Sequence, residues 1–83
     1  MFVHLGKNSV VRSSQIVAII DYQVMEGSEV NQAYVDRAGR ERKIQDVSKG
    51  RPHSLVITNE YIYLSAISST TLKKRTENPH YLA

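Results

Sequence analysis

The hydrophobic positions of this chain fall into short runs separated by turn-forming residues. In the first quarter, runs rich in β-branched residues predict strands at residues 2–5, 9–12 and 16–22. A turn at residues 6–8 joins the first two. The density of β-branched residues in the third run is typical of a buried strand.

The second half of the chain carries a further set of strand signals. A weakly alternating run at residues 43–47 predicts an edge strand, and residues 48–50 then turn the chain. Two apolar runs at residues 53–59 and 61–66 predict a hairpin around the turn at residues 59–60.

Between these strands, one segment has the pattern of a helix. Ser28 is a suitable N-cap for a helix that extends to about Arg37 or Ala38, where Gly39 is a natural stop. Residues 25–27 before it are predicted to form a loop.

A second, shorter helix is predicted over residues 70–75, capped by Ser68 or Ser69. The predicted fold class is α+β, a β-dominated small single domain of five or six short strands with one central and one C-terminal helix. The domain is expected to cover residues 1–76, with a frayed tail at residues 77–83.

Two of the apolar runs have a consequence for assembly. Residues 16–20 and 55–57 are continuously apolar, which is typical of strands covered on both faces. Two short helices can cover only part of one face, so either the sheet folds over on itself or another copy of the chain supplies the cover. The edge expected at residues 43–47 also favours association, and we therefore expect a homo-oligomer.

Length and composition narrow the class of protein. Eighty-three residues form one domain, and the absence of cysteine excludes disulfides and thiolate metal sites. The longest apolar run, residues 16–20, is too short to span a bilayer, and the first residues do not resemble a signal peptide. We expect a soluble, cytoplasmic protein without membrane contact.

The sequence contains no pattern typical of catalysis. His4, His53 and His80 are not spaced as metal ligands, and no nucleophile elbow, zinc-protease or phosphate-loop motif is present. We therefore predict that the protein is not an enzyme and uses no cofactor or small-molecule substrate.

The charges are unevenly distributed along the chain. The net charge is +3, and eight of the eleven basic residues lie in residues 40–51 and 73–75. Residues 21–36 hold four acidic residues and no basic one. This pattern predicts a molecule with one basic and one acidic side.

Two interpretations of the basic segments are open. In the first, the cations only solvate a loop and complement the negative end of the last helix. In the second, they contact phosphates or a guanine edge: Pro52 restricts Arg51 to extended backbone, so the turn holds a guanidinium at a hairpin tip with little freedom. Because no aromatic residue interrupts these segments, duplex backbone contact is favoured over base stacking, although the charges fit RNA as well.

Several segments resemble one known family. FVHLGKNSVV, QIVAIIDY and SLVITNEYIYLSAISSTTLKKR are similar to the small RemA/RemB regulators of bacterial biofilm-matrix genes, over about residues 1–75. The resemblance implies a cytoplasmic DNA-binding protein that regulates transcription of extracellular-matrix genes. It also implies ring-shaped homo-oligomers that present arginines repeatedly to bent duplex DNA.

The family pattern has two adjacent arginines after the hairpin glycine. Here Gly50 and Arg51 match it, and Pro52 occupies the second place. The pattern also has an arginine before the long buried strand, where this chain has Gln15 and where Arg12, three residues earlier, is the candidate substitute.

The predicted nucleic-acid-binding residues combine both arguments, with Arg51 first, Lys49 beside it and a basic triplet that broadens the footprint. The full set is Arg51, Lys49, Arg12, Lys73, Lys74 and Arg75. Because two family arginines are replaced, an alternative remains open: a protein-interaction or assembly module of the same regulatory system, with little DNA binding of its own.

Overall fold

In the computed structural model, which describes residues 2–77, the chain forms six strands, three α-helices and one short 3-10 helix. In chain order these are β1 (Phe2–Gly6), β2 (Ser9–Arg12), the 3-10 helix (Ser13–Gln15), β3 (Ile16–Asp21), α1 (Tyr22–Glu26), α2 (Glu29–Glu41), β4 (Lys43–Asp46), β5 (Ser54–Thr58), β6 (Tyr61–Ser65) and α3 (Ser69–Glu77). The predicted α+β class is confirmed, with strands and helices in similar shares. Of the predicted frayed tail, Glu77 belongs to α3, and residues 78–83, with His80, lie outside the described residues.

Four strands form the central sheet in the order β3-β5-β6-β4, and β1 and β2 form a separate antiparallel pair. Strand β5 is antiparallel to both of its neighbours, whereas β4 runs parallel to β6. The predicted β5–β6 hairpin is confirmed, and Thr58 closes its turn: its Oγ1 accepts from the N–H of Tyr61 at 3.1 Å and donates to the Tyr61 carbonyl at 3.0 Å. The predicted edge position of β4 is also confirmed.

Strand β5, in the interior of the central sheet, is covered on both faces by the chain itself. Val56 faces one core, which it shares with residues of β1, β2 and α3 such as Leu5 and Leu72. Leu55 and Ile57 face the other core, against α1 and α2. All five residues of β5 are buried in the single chain, so the burial of residues 55–57 does not require another copy. The predicted burial of residues 16–20 is wrong for the single chain, because β3 is an edge strand whose residues are half-buried or exposed, with Val17 52% exposed.

The third strand ends one residue earlier than predicted, because Asp21 begins a helix. Its Oδ1 accepts from the backbone N–H groups of Gln23 at 2.9 Å and Val24 at 3.2 Å, which caps α1. The predicted loop at residues 25–27 is therefore wrong at Met25 and Glu26, which are helical.

Helix α2 begins as predicted, with Ser28 Oγ accepting from the N–H of Asn31 at 3.2 Å. Its predicted end at Gly39 is wrong, because the helix continues to Glu41. The chain leaves the helix at Arg42, which has extended backbone and donates from Nε to the Thr58 carbonyl at 2.7 Å. A long-range contact, rather than the glycine, marks the end.

No helix within residues 2–77 has the length and apolar character needed to cross a bilayer.

Candidate nucleic-acid interface

The segment that carries Lys49 and Arg51 is a crossover loop, not the predicted hairpin tip. Strand β4 pairs with β6 and not with β5, so residues 47–53 must pass over the end of β6. Both ends of the loop are fixed there: Val47 donates to the Leu64 carbonyl at 2.9 Å, and the N–H of His53 donates to the Ser65 carbonyl at 2.8 Å.

A tight turn at the start of this loop leaves Lys49 and Arg51 exposed to solvent. Asp46 Oδ1 accepts from both the N–H of Ser48, at 2.8 Å, and its hydroxyl, at 2.6 Å. The N–H of Arg51 donates to the Ser48 carbonyl at 3.3 Å. Val47 and Ser48 are buried, whereas Lys49 and Arg51 are exposed. The loop therefore has a buried base and a cationic crest.

The exposed Asp46 carboxylate, at the end of β4, is held in its ionised form. Hydrogen bonds from the hydroxyl and then the backbone N–H of Ser48 lower the pKa of Asp46 below its ordinary value, and the positive charge of Lys7 acts in the same direction. Lys7 was not among the predicted site residues. It lies in the β1–β2 turn, and only the tertiary fold brings that turn to the loop.

The basic triplet lies on α3, whose start is confirmed by Ser68 Oγ accepting from the N–H of Thr71 at 3.2 Å. Lys73 and Lys74 are exposed and Arg75 is half-buried. Two of these cations, Lys74 and Arg75, lie in the last turn, where a positive charge complements the helix dipole. The helix dipole therefore explains the presence of Lys74 and Arg75 without any bound ligand.

Arg12 does not join the loop. It pairs with Phe2 at the end of the β1–β2 ribbon remote from the Gly6 turn, about four residues or roughly 13 Å along the strand. Its guanidinium lies 5.8 Å from the centroid of the Phe2 ring, and Gln15 Oε1 accepts from its backbone N–H at 3.1 Å. The structure thus brings Lys49 and Arg51 together and leaves Arg12 at the opposite end.

The charges differ between the two outer layers of the fold. The β1–β2 ribbon and α3 carry five basic residues and one acidic residue, namely Lys7, Arg12, Lys73, Lys74, Arg75 and Glu77. The α1–α2 layer with its capping residues carries five acidic and three basic residues, namely Asp21, Glu26, Glu29, Asp36, Glu41, Arg37, Arg40 and Arg42. The predicted separation of charge is therefore found across the central sheet, with the basic layer on one face and the acidic layer on the other.

The described part of the chain contains no cluster of His, Cys, Asp or Glu that could hold a metal ion. An open cavity of about 460 Å³ forms an apolar groove between α1, α2 and the β4 edge, with Met25, Ile44 and Leu64 among its lining residues. Asp36 and Arg40 are the charged residues of this lining.

Comparison with known proteins agrees with the resemblance identified from the sequence. Residues 2–76 match the model of the RemA-like family, described as extracellular matrix regulatory protein A-like. The chain is also 35% identical, over 77 residues, to extracellular matrix regulatory protein B of Bacillus subtilis (strain 168). This alignment covers 93% of the chain and 91% of that relative.

Proposed function

The chain belongs to the RemA-like family of extracellular matrix regulatory proteins, and on this premise we propose that it is a cytoplasmic DNA-binding regulator of extracellular-matrix gene transcription. In this proposal it contacts the backbone of duplex DNA through basic residues repeated on a homo-oligomer. Lys49 and Arg51 make the principal phosphate contacts, and Lys73, Lys74 and Arg75 add electrostatic affinity.

The observation that carries the proposal is the build of the β4–β5 loop. Its base is buried and hydrogen-bonded at both ends, so the exposed crest is restrained before any ligand binds. Within residues 2–77, the ion pair with a nitrogen–oxygen distance below 4.0 Å joins Arg42 and Glu41. Among the described residues, neither Lys49 nor Arg51 is therefore paired with a carboxylate. A restrained guanidinium loses little freedom when it binds a phosphate.

Repetition in an oligomer would raise the weak affinity of one such loop. The outer faces of the fold offer complementary surfaces for this: Phe2 and Val10 are 66% and 51% exposed on the basic ribbon, and Val24 and Val30 are 55% and 79% exposed on the acidic layer. Contact between these two unlike faces would be heterologous, and heterologous contacts form rings when the rotation between subunits closes.

A gel-shift titration with duplex DNA, single-stranded DNA and duplex RNA tests the proposed ligand. Duplex DNA should bind most tightly, with affinity that falls as salt rises. Equal affinity for all three, or preference for duplex RNA, would contradict it.

The second candidate is a protein-interaction module, and the apolar groove beside Ile44, which is 61% exposed, favours it. Groove lining of this kind suits a protein partner better than a phosphate. Absence of binding to all three nucleic acids, together with a stable assembly, would favour this candidate.

A further inference from the structure

Two lysines of this protein have the same unusual backbone conformation. Between residues 2 and 77, the non-glycine residues with positive φ are Lys7, at 46°, and Lys49, at 59°. This left-handed region is the usual place for glycine or asparagine, and a lysine there is strained. Turn geometry therefore does not account for lysine at either position, whereas its positive charge offers a reason.

The turns that carry these lysines are in direct contact. Gly6 has φ of 130°, and a β-carbon there would lie 2.8 Å from the carbonyl oxygen of Val47, the first residue of the β4–β5 loop. The neighbouring Leu5 carbonyl accepts from the buried Ser65 hydroxyl at 2.6 Å. Since Ser65 also anchors His53, both turns are fixed to the same end of β6.

The electrostatic interaction between the two turns is consistent with the contact between Gly6 and Val47. Lys7 is exposed, yet its charge acts on the Asp46 carboxyl at the base of the loop. His4 Nε2 lies 3.1 Å from the Lys7 carbonyl oxygen, which adds a side-chain contact to the turn. In the part of the chain that the structure describes, Lys7 has no ion pair within 4.0 Å.

We propose that Lys7 is a further phosphate-contacting residue, and that the β1–β2 turn and the β4–β5 loop form one composite phosphate-binding edge. The inference rests on the proposed DNA-binding function and adds a residue and a second element to it. Lys7 also belongs to the basic layer, so the composite edge connects the loop to that layer's positive surface.

Fluorescence anisotropy with a labelled duplex at about 0.1 M salt tests the role of Lys7. In Lys7→Asn the positive charge is removed, while asparagine still tolerates the left-handed backbone. The matched control is Lys43→Asn, because Lys43 is exposed on the opposite end of β4, paired with Tyr61. Removal of one phosphate contact corresponds to about an eightfold weaker affinity at this salt concentration.

We expect Lys7→Asn to weaken binding by about eightfold or more, and Lys43→Asn by less than about twofold. Thermal melting of each variant checks the fold, and Lys7→Gly, which also suits this backbone, replaces Lys7→Asn if the asparagine variant melts early.

Arg51→Ala, measured beside them, separates this inference from the function on which it rests. If Arg51→Ala weakens binding but Lys7→Asn behaves like Lys43→Asn, the composite edge is wrong and the DNA-binding loop stands. If Arg51→Ala binds as tightly as the parent, the loop is not part of the interface, and the composite edge is overturned whatever Lys7→Asn does.

Discussion

Lys49 shows at the scale of one residue how this loop combines strain with charge. Its φ of 59° lies where the β-carbon crowds the following carbonyl. Asp46, Ser48 and the Arg51 N–H fix the turn around it, so the conformation is held by its neighbours. Strain that the surroundings over-determine is typical of functional sites.

Two substitutions of Lys49 separate the charge from the backbone. Lys49→Ala and Lys49→Gly both remove the ammonium and should weaken duplex binding equally. Lys49→Gly should be more stable than Lys49→Ala by about 1–2 kcal/mol, because glycine is not strained at positive φ. Urea unfolding and anisotropy measure the two effects. Equal stability of the two variants would contradict the left-handed assignment.

The Asp46 carboxylate predicts a pH dependence of the turn. Because the pKa of Asp46 is lowered in the folded chain, its contribution to stability is present above the ordinary value of 3.8 and is lost as pH falls through the lower, folded value. Asp46→Asn keeps an acceptor oxygen but does not titrate there. Melting temperatures of the parent and Asp46→Asn, followed from about pH 7 to about pH 2, should converge at the acid end. Parallel curves would show that Asp46 is not held by Ser48.

At the scale of elements, local patterns predicted most of the strands and both helix starts. The β5–β6 hairpin depends on two adjacent apolar runs, and the caps at Ser28 and Ser68 depend on one side chain each. Such features were predictable because their causes lie within a few residues. The missed helix α1 had a local cause too, since Asp21 is a good N-cap, but the preceding β-branched run favoured continuing the strand.

Features that depend on distant contacts were not predictable in the same way. Strand β4 could pair with either β5 or β6, and the local sequence does not decide between them. Because β4 pairs with β6, the expected hairpin tip is a crossover loop. The approach of Gly6 to Val47, which brings Lys7 to the site, joins residues far apart in the sequence. The sequence therefore indicated Lys49 and Arg51 as candidate site residues, but neither the proposed role of Lys7 nor the separation of Arg12.

The buried central strand provides a stability prediction at this scale. Ile57→Asp places a charge at a fully buried position of a strand covered on both faces, and should cost several kcal/mol, roughly enough to unfold the domain. Val30→Asp, at a position 79% exposed in the first turn of α2, is the matched control and should fold normally. Circular dichroism melts compare them. A folded Ile57→Asp would mean that the strand assignment is wrong.

At the scale of the whole molecule, the two outer layers carry opposite charge and each exposes apolar side chains. One layer presents Phe2 and Val10, and the other presents Val24 and Val30. Since β5 is already covered on both faces, we expect association to involve these outer faces and not completion of its core.

A heterologous contact between these faces can be distinguished from a two-fold contact by mixing two variants. Phe2→Asp and Val30→Asp should each be monomeric by light scattering, because each lacks one of the two surfaces. Mixed one to one, they should form a heterodimer through the intact Val30 of the first and the intact Phe2 of the second. A mixture that stays monomeric, or single variants that keep the parent's size, would contradict this contact.

The salt dependence of duplex binding tests whether the β4–β5 loop contacts DNA phosphates. The slope of log K against log salt should be smaller in magnitude for Arg51→Ala than for the parent by about 0.9 for each phosphate that the variant no longer neutralises, and by a multiple of that in an oligomer. Lys43→Asn should keep the parent slope. Parallel lines for the parent and Arg51→Ala would place the loop away from the phosphates and contradict the proposed contact.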